Sequence, residues 1–238
     1  MDRIEVVQSA LKGRVRPLYL EIGVSRGSAF RRISADEKIG VDPAFKLSAR
    51  ARRDAGAKAR ATRYVETTSD AFFAGETGLL ESRGIDVALI DGNHTYAQAL
   101  RDVENTLRYL RDDGVVVVHD CNPASARIGV PAASYAEFCA KSRVRQLLSP
   151  VVQLAWSGDV WKTIVNLRST RDDVRVAVLD CDRGVGIVRK GSADSRLSYS
   201  AGQIEALGYA DLAADRRGLL NLKPPTYLDE FLNSTRSC

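Results

Sequence analysis

Cysteine is scarce in this chain. The four present, Cys121, Cys139, Cys181 and Cys238, fall in no metal-ligand spacing, which argues against a cysteine metal centre and leaves reduced thiols as the expectation. Long apolar runs are also missing: none reaches the roughly 18 residues that a membrane helix needs. The opening segment, MDRIEVVQSALKGRVRP, lacks the apolar core of a signal peptide and reads as a short amphipathic helix. That points to a cytoplasmic protein with no membrane partner. The basic run RARRDAGAKARATR, from Arg50 to Arg63, has no aromatics to stack on bases. It reads as a solvated helix face rather than a nucleic-acid surface. No repeat and no low-complexity linker interrupts the sequence.

What is present suits one large α/β domain. The chain has 238 residues, 45% hydrophobic and 27% charged, with a net charge of +5, ordinary values for a globular protein with a substantial core. Its organising stretch is Leu18 to Pro43, LYLEIGVSRGSAFRRISADEKIGVDP. This reads as a short strand, a glycine turn from Gly23 to Gly27, a helix through Ala29, Phe30 and Ile33, and a second strand tipped by Asp42. An acid about twenty residues after a strand–glycine–helix turn suits an adenosine-containing ligand, the acid taking the ribose hydroxyls. A dinucleotide fingerprint would need glycine where Ser25 stands, and no Gly-Lys-Ser/Thr follows Gly27.

Beyond Asp42 the chain alternates as a parallel sheet with helices on both faces does. Strands are predicted at Arg63–Val65, Ile85–Ile90 and Val115–Val118. A broken helix is predicted within Ala71–Ser82, and a firm one over Ala97–Leu110, closed by Asp113-Gly114. Two strand tips carry polar clusters, Asp91 to Tyr96 and His119 to Asn122. Ligands of open parallel sheets bind beyond the carboxyl ends of the strands. The chain's two histidines, His94 and His119, fall one in each cluster.

The pattern Glu21-x-Gly23-x-x-x-Gly27-Ser28 resembles motif I of class I S-adenosylmethionine (SAM) methyltransferases. IDGNHTY followed by a helix and DDGVVVVHD resembles their small-molecule O-methyltransferase branch, near catechol O-methyltransferase and bacterial sugar O-methyltransferases. The likeness runs from about Leu18 to Asn122 and more weakly through SGDVWKTIVNLR and VAVLDCDRGVGIVRK. It implies a Rossmann-like, seven-stranded, mostly parallel sheet ending in an antiparallel hairpin around Asp182-Arg183-Gly184. Residues 1–17 would form an N-terminal helix, 18–122 the cofactor core and 123–238 the substrate side.

The resemblance also implies roles. Glu21, Gly23, Ser25, Gly27 and Ser28 would surround the methionine end of SAM, Asp42 the ribose, and Ser69 and Asp70 the adenine, with Asp91 bordering SAM and substrate. Asp91 and Asp120 fall where catechol-type enzymes hold magnesium. Cys121 replaces the usual third oxygen ligand, leaving Asn122 or a water in its stead. His94 would take the proton of an acceptor hydroxyl, with His119 as second candidate base. The expected function is methyl transfer from SAM to a hydroxyl of a small polar acceptor, such as a sugar or glycoside. The alternatives are a SAM-binding module without turnover and an RNA methyltransferase. A homodimer covering the site is a further expectation.

The rest of the chain is read more coarsely. Helices are expected at Ala133–Lys141, around Trp161, near Ala201–Leu207 and at Leu228–Leu232, and strands at Val174–Leu179 and Gly186–Val188. Both tryptophans, Trp156 and Trp161, within Val151–Trp161, are assigned to the core.

Overall fold

The computed structural model describes residues 1–75, 77–141 and 155–233. Val151–Leu154 and Cys238 lie outside the described residues. An N-terminal helix, α1 (Arg3–Leu11), leads into β1 (Leu18–Ile22) and β2 (Glu37–Asp42), then α2 (Ala49–Gly56) and β3 (Ala61–Glu66). Two short helices, α3 (Ser69–Gly75) and α4 (Gly78–Arg83), precede β4 (Ile85–Ile90), α5 (Tyr96–Tyr109) and β5 (Leu110–Val118). After α6 (Tyr135–Lys141) come α7 (Trp161–Thr170), β6 (Val174–Leu179) and β7 (Val185–Lys190). The chain closes with α8 (Ala201–Ala206), α9 (Tyr209–Ala214), α10 (Arg216–Leu220), β8 (Leu222–Lys223) and α11 (Tyr227–Asn233). No helix among the described residues is long and apolar enough to cross a membrane.

All these strands join one sheet in the order β3-β2-β1-β4-β5-β7-β6-β8. The first five pair in parallel, in a Rossmann-like order, and β7 runs antiparallel to both β5 and β6. Every residue of β1 and β4 is buried, as strands covered on both faces must be. Register then places the site. Ile22 lies opposite both Val41 and Ile90, and Ile90 opposite Val118, so the tips of β1, β2, β4 and β5 end level on one edge.

Helix α1 runs across one face from that edge to the other. An Asp2–Glu5 capping box starts it. Arg3, in its first turn, reaches Asp91 and Asp182 at the carboxyl edge. Arg14, just past its end, meets Asp86 at the start of β4 and Asp113. The Asp86 carboxylate also accepts the Leu18 N–H at 2.8 Å, which ties the amino edge of β1 to β4.

Three expectations need correction. The sheet has eight strands rather than seven, the addition being the two-residue β8 beside β6, too short to show any periodicity. Residues 29–32 form successive turns and Ile33 is irregular, so no helix forms there. The buried Lys38 ammonium donates to the Phe30 carbonyl at 2.9 Å and the Ile33 carbonyl at 3.1 Å, partners that a continuing helix would have claimed. Asp113 and Gly114 belong to β5, which begins at Leu110 and crosses a register irregularity against β4. They do not cap the preceding helix. Other expectations stand: the break near Gly75 and Gly78 separates α3 from α4, and α2 buries only Ala51 and Ala55 while its arginines face outward.

Replacing Lys38 by Ala should lower the unfolding free energy by about 3 kcal/mol, because two buried carbonyls lose their donor and a packed stem is removed. Urea unfolding of both proteins checks this, and an unshifted midpoint would show that the turn closes without Lys38.

Candidate active site

The tight turn after β1 is shaped by the protein itself. Gly23 has φ +89°, and a side chain there would collide with the backbone of Asp91 and Gly92, so glycine lets the β1 and β4 tips touch. The absent side chain of Gly27 leaves room for Leu47, and Gly27 lines neither of the cavities described below. Ser25, at φ +47°, is pinned on both sides. Its N–H donates to Asp42 Oδ2 at 2.7 Å, and its carbonyl accepts the Lys46 N–H at 2.9 Å. The other Asp42 oxygen accepts the Ala44 N–H at 2.8 Å. The carboxylate is thus fixed by backbone, with lone pairs to spare.

Two adjoining cavities open at this edge. One, of about 570 Å³, is lined by Gly23, Asp42, Ser69, Asp70, Gln98 and Asp102 among others. The second, of about 680 Å³, is lined by Glu21, Ser28, His94, His119, Asp120 and Arg183 among others. Gly23, Ser25, Lys46, Asp91, Gly92, Tyr135 and Trp156 belong to both, so the cavities meet at the β1 and β4 tips. The sequence-predicted residues of the first strands are therefore brought to one place, except Gly27.

The second cavity is built on charge. Asp91, His94 and Asp120 offer ligand atoms within 4.8 Å of one another. His119 Nδ1 lies 3.0 Å from Asp91 Oδ1 and 3.2 Å from Asp120 Oδ2. Its Nε2 lies 3.0 Å from the Asp182 carbonyl. Arg3 Nε sits 3.2 Å from Asp91 Oδ2, while its Nη1 donates to Asp182 Oδ2 at 2.9 Å. Asp120 Oδ1 accepts from Ser157 Oγ at 2.7 Å and Arg183 Nε at 2.6 Å. Burial disfavours charge on His119, but the Asp91 charge and hydrogen bonds with Asp120, Asp182 and Asp91 outweigh it, holding the ring's pKa well above the usual 6.5. Burial alone would raise Asp91; its His119 and His94 partners instead drive it far below the usual carboxylate range. Asp120 is lowered for the same reason, against its burial. Glu21, buried and taking the Tyr19 hydroxyl at 2.5 Å, is pushed by burial up to about 8.

His94 is held differently. Its Nδ1 lies 2.6 Å from the Trp156 carbonyl, an acceptor only, so that nitrogen carries a hydrogen and Nε2 holds the lone pair of the neutral ring. Nε2 lies 3.5 Å from Asp91 Oδ1. The ring stacks on Trp156, centroids 5.2 Å apart. Gly158, at φ +57°, lets this loop close over His94, whose carbonyl would collide with any side chain there. Burial disfavours the charged ring, but the Asp91 hydrogen bond, the charges of Asp120 and Asp91 and the Trp156 carbonyl raise its pKa above 6.5.

Magnesium does not fit this donor set as the sequence suggested. Asn122 is turned away, its amide oxygen accepting from Arg216 and its nitrogen donating to Asp180. The Cys121 thiol is buried and directed at the Val118 carbonyl, 3.4 Å away. Among the described residues only two carboxylates converge, the third donor is a nitrogen, and Asp91 Oδ1 and Asp120 Oδ2 already share the His119 ring nitrogen. A hard cation that prefers six oxygens finds too few.

Several site residues had no readable pattern. Arg3 comes from the N-terminal helix, Asp182 and Arg183 from a hairpin that the sequence marks only as a turn, and Ser157 and Trp156 from a loop. Trp161 is core, as expected, at 1% exposure. Trp156 is buried too, but it packs on His94 and lines both cavities. Asp102 could have been found. It stands on the buried face of α5 with Ala99, Val103 and Thr106, where an acid is out of place. It accepts from Gln98 at 3.0 Å, and burial raises its pKa to about 6.

Residues 20–121 match the family model of a methyltransferase domain. No curated protein matches the chain. Among solved structures, the cofactor-bound protein Rv0187 from MTB is similar with a TM-score of 0.54, covering 79% of this chain and 78% of that one at 13% identity. CalS11, a TDP-rhamnose 3'-O-methyltransferase of calicheamicin biosynthesis, gives 0.49 over 80% and 77% at 13% identity. The O-methyltransferase TomG from Streptomyces achromogenes, in complex with SAM, gives 0.48 over 80% and 79% at 14% identity. The likeness to Rv0187, at that identity, is likeness of fold.

The ring nitrogens of His119 should show an imidazolium pattern by NMR at neutral pH and lose it only on the alkaline side. Its contribution to stability is then fully present below the ordinary histidine value and lost as pH rises through the raised one. A ring already neutral at pH 7 would contradict this charge assignment.

Proposed function

From a methyltransferase domain over residues 20–121, we propose that this chain transfers the methyl group of SAM to a hydroxyl of a small polar acceptor. Residues 18–122 would hold the cofactor and 123–238 would complete the acceptor side. The observation that carries the reading is the junction of the two cavities. A cleft with a fixed carboxylate at the tip of β2 opens directly onto a histidine flanked by two acids. The first cleft suits an adenosine ligand in size and donors. Asp42 keeps lone pairs for ribose hydroxyls, while Ser69, Asp70 and Gln98 offer polar groups at its far side.

Bound SAM supplies an activated methyl group on a sulfonium, so the protein's task is alignment and proton removal. A hydroxyl attacks well only as its proton leaves. His94 Nε2 is the acceptor for that proton, with Nδ1–H anchored on the Trp156 carbonyl and the ring braced by the indole face. Asp91 and Asp120 stabilise the imidazolium that forms, as their distances to the ring imply. His119, engaged by Asp91, Asp120 and Asp182, positions those acids and has no free nitrogen to act as the base. No step uses a metal.

Replacing Asp42 by Ala should weaken binding of S-adenosylhomocysteine by about tenfold or more in calorimetry; unchanged affinity would sink the ribose assignment. His94→Ala should slow transfer by about 100-fold or more with cofactor affinity retained, in chelator as well as without it. The base must be neutral to act and its pKa is raised, so kcat/KM should climb with pH through an inflection above 6.5. A mutant as fast as the parent, or a profile flat across that range, would move the base elsewhere.

A further inference from the structure

The reaction cleft carries more positive charge than its own acids balance. Arg3, Arg26, Lys46 and Arg183 line it with only Glu21, Asp91 and Asp120 as carboxyl groups. Burial raises Glu21 to about 8, which leaves it largely protonated at neutral pH. The two remaining carboxylates are already engaged, Asp91 by Arg3 and both by histidines. Asp182, which also pairs with Arg3, adds a third ionised acid just behind the lining, and the four cations still outnumber the anions before either imidazole is counted.

Three of these cations have donors to spare. Arg26 and Lys46 have no side-chain hydrogen bond or ion pair with any described residue. Both are attached to rigid backbone. Arg26 sits inside the turn closed by the Gly27 N–H to Val24 carbonyl bond at 2.7 Å, and Lys46 is bonded through its own N–H to Ser25. Arg183 is fixed by its Nε on Asp120, which is 1% exposed, while its Nη nitrogens have no partner among the described residues. Ser25 and Arg183 hold left-handed φ values of 47° and 61°. Such backbone persists only where its surroundings impose it, and here it places one cation on the β1 turn and another on the β6–β7 hairpin.

Resting on the SAM reading above, we infer that the acceptor carries an anionic group, phosphate or carboxylate, held by Arg26, Lys46 and Arg183. SAM itself adds net positive charge, with a sulfonium and an ammonium against one carboxylate. A loaded cleft therefore attracts an anion more strongly than an empty one. Guanidinium groups with open Nη edges are suited to oxyanions, which they bind in pairs of hydrogen bonds. Methyl transfer removes the sulfonium charge and so weakens the hold on the product.

Calorimetry on the full chain saturated with S-adenosylhomocysteine tests this, with inorganic pyrophosphate and malonate as probes at low salt. At least one should bind, with affinity falling about tenfold or more in Arg26→Ala and again in Arg183→Gln, and falling with added salt. S-adenosylhomocysteine affinity should stay unchanged in Arg26→Ala. Preference for pyrophosphate assigns a phosphorylated acceptor, and preference for malonate a carboxylated one. If S-adenosylhomocysteine itself does not bind, the cofactor reading fails. If it binds but neither anion does at millimolar concentration, or if both variants bind the anions as the parent does, the inference is overturned. Charge reversal by Arg26→Glu provides a surface substitution that keeps a long side chain, and it should abolish anion binding without changing the thermal midpoint.

Discussion

Three carboxylates and one imidazole hold the carboxyl edge of the sheet together. Asp91, Asp120 and Asp182 come from the tips of β4, β5 and the β6–β7 hairpin, and all three approach His119. Bare, such a group of acids would repel and could not stay ionised so far from water. The imidazole, with Arg3 and Arg183 around it, converts the repulsion into a knot that ties strand tips on the two halves of the sheet. Each group is held on the correct side of neutrality by its neighbours, so removing one partner changes the charge state of the rest.

Around that knot the backbone is forced into uncommon conformations. Ser25, Asp120, Asp182 and Arg183 all have positive φ without being glycine, and all four belong to loops at this edge. The loops touch through backbone, at Gly23 against Asp91 and at Gly158 against His94. The His94 ring therefore inherits its position from three segments at once: the β4 tip that bears it, the tryptophan it stacks on and the acids it faces. This is the preorganisation that the proposed proton transfer to His94 would use, made from loops that sequence pattern describes poorly.

Much of this was legible in the sequence, for physical reasons. Buried parallel strands are continuous apolar runs, so β1, β4 and β5 stand out, and the rule that ligands gather at strand tips brought Asp42, Asp91, His94, His119 and Asp120 to one edge. The sheet edge was less visible, since β8 has only two residues. The segment 29–33 imitates helical spacing, because Phe30 and Ile33 are both buried, yet the decisive partner, Lys38, comes from the next strand. Arg3, Asp182 and Arg183 escaped because their meaning lies in long-range pairing. Asn122, offered beside a water as a substitute for the third ligand, turns instead to Arg216 and Asp180, because sequence spacing says nothing about direction once Asp120 adopts a left-handed φ. Trp156 shows that core and site are not exclusive, since one indole is both buried and a cavity wall.

Helix α1 is fastened at both ends of the sheet, by Arg3 at the carboxyl edge and by Arg14 at the amino edge. The distance between these anchors divides the molecule's evolutionary freedom. At the amino edge, Asp86 joins β1 to β4 and Arg14 joins α1 to β4 and β5, and changes there alter robustness without reaching the carboxyl edge. At the carboxyl edge the same helix reports any disturbance straight to Asp91. New specificities should therefore accumulate in the hairpin and the β1 turn, on a frame whose far side can be reinforced in advance to tolerate them.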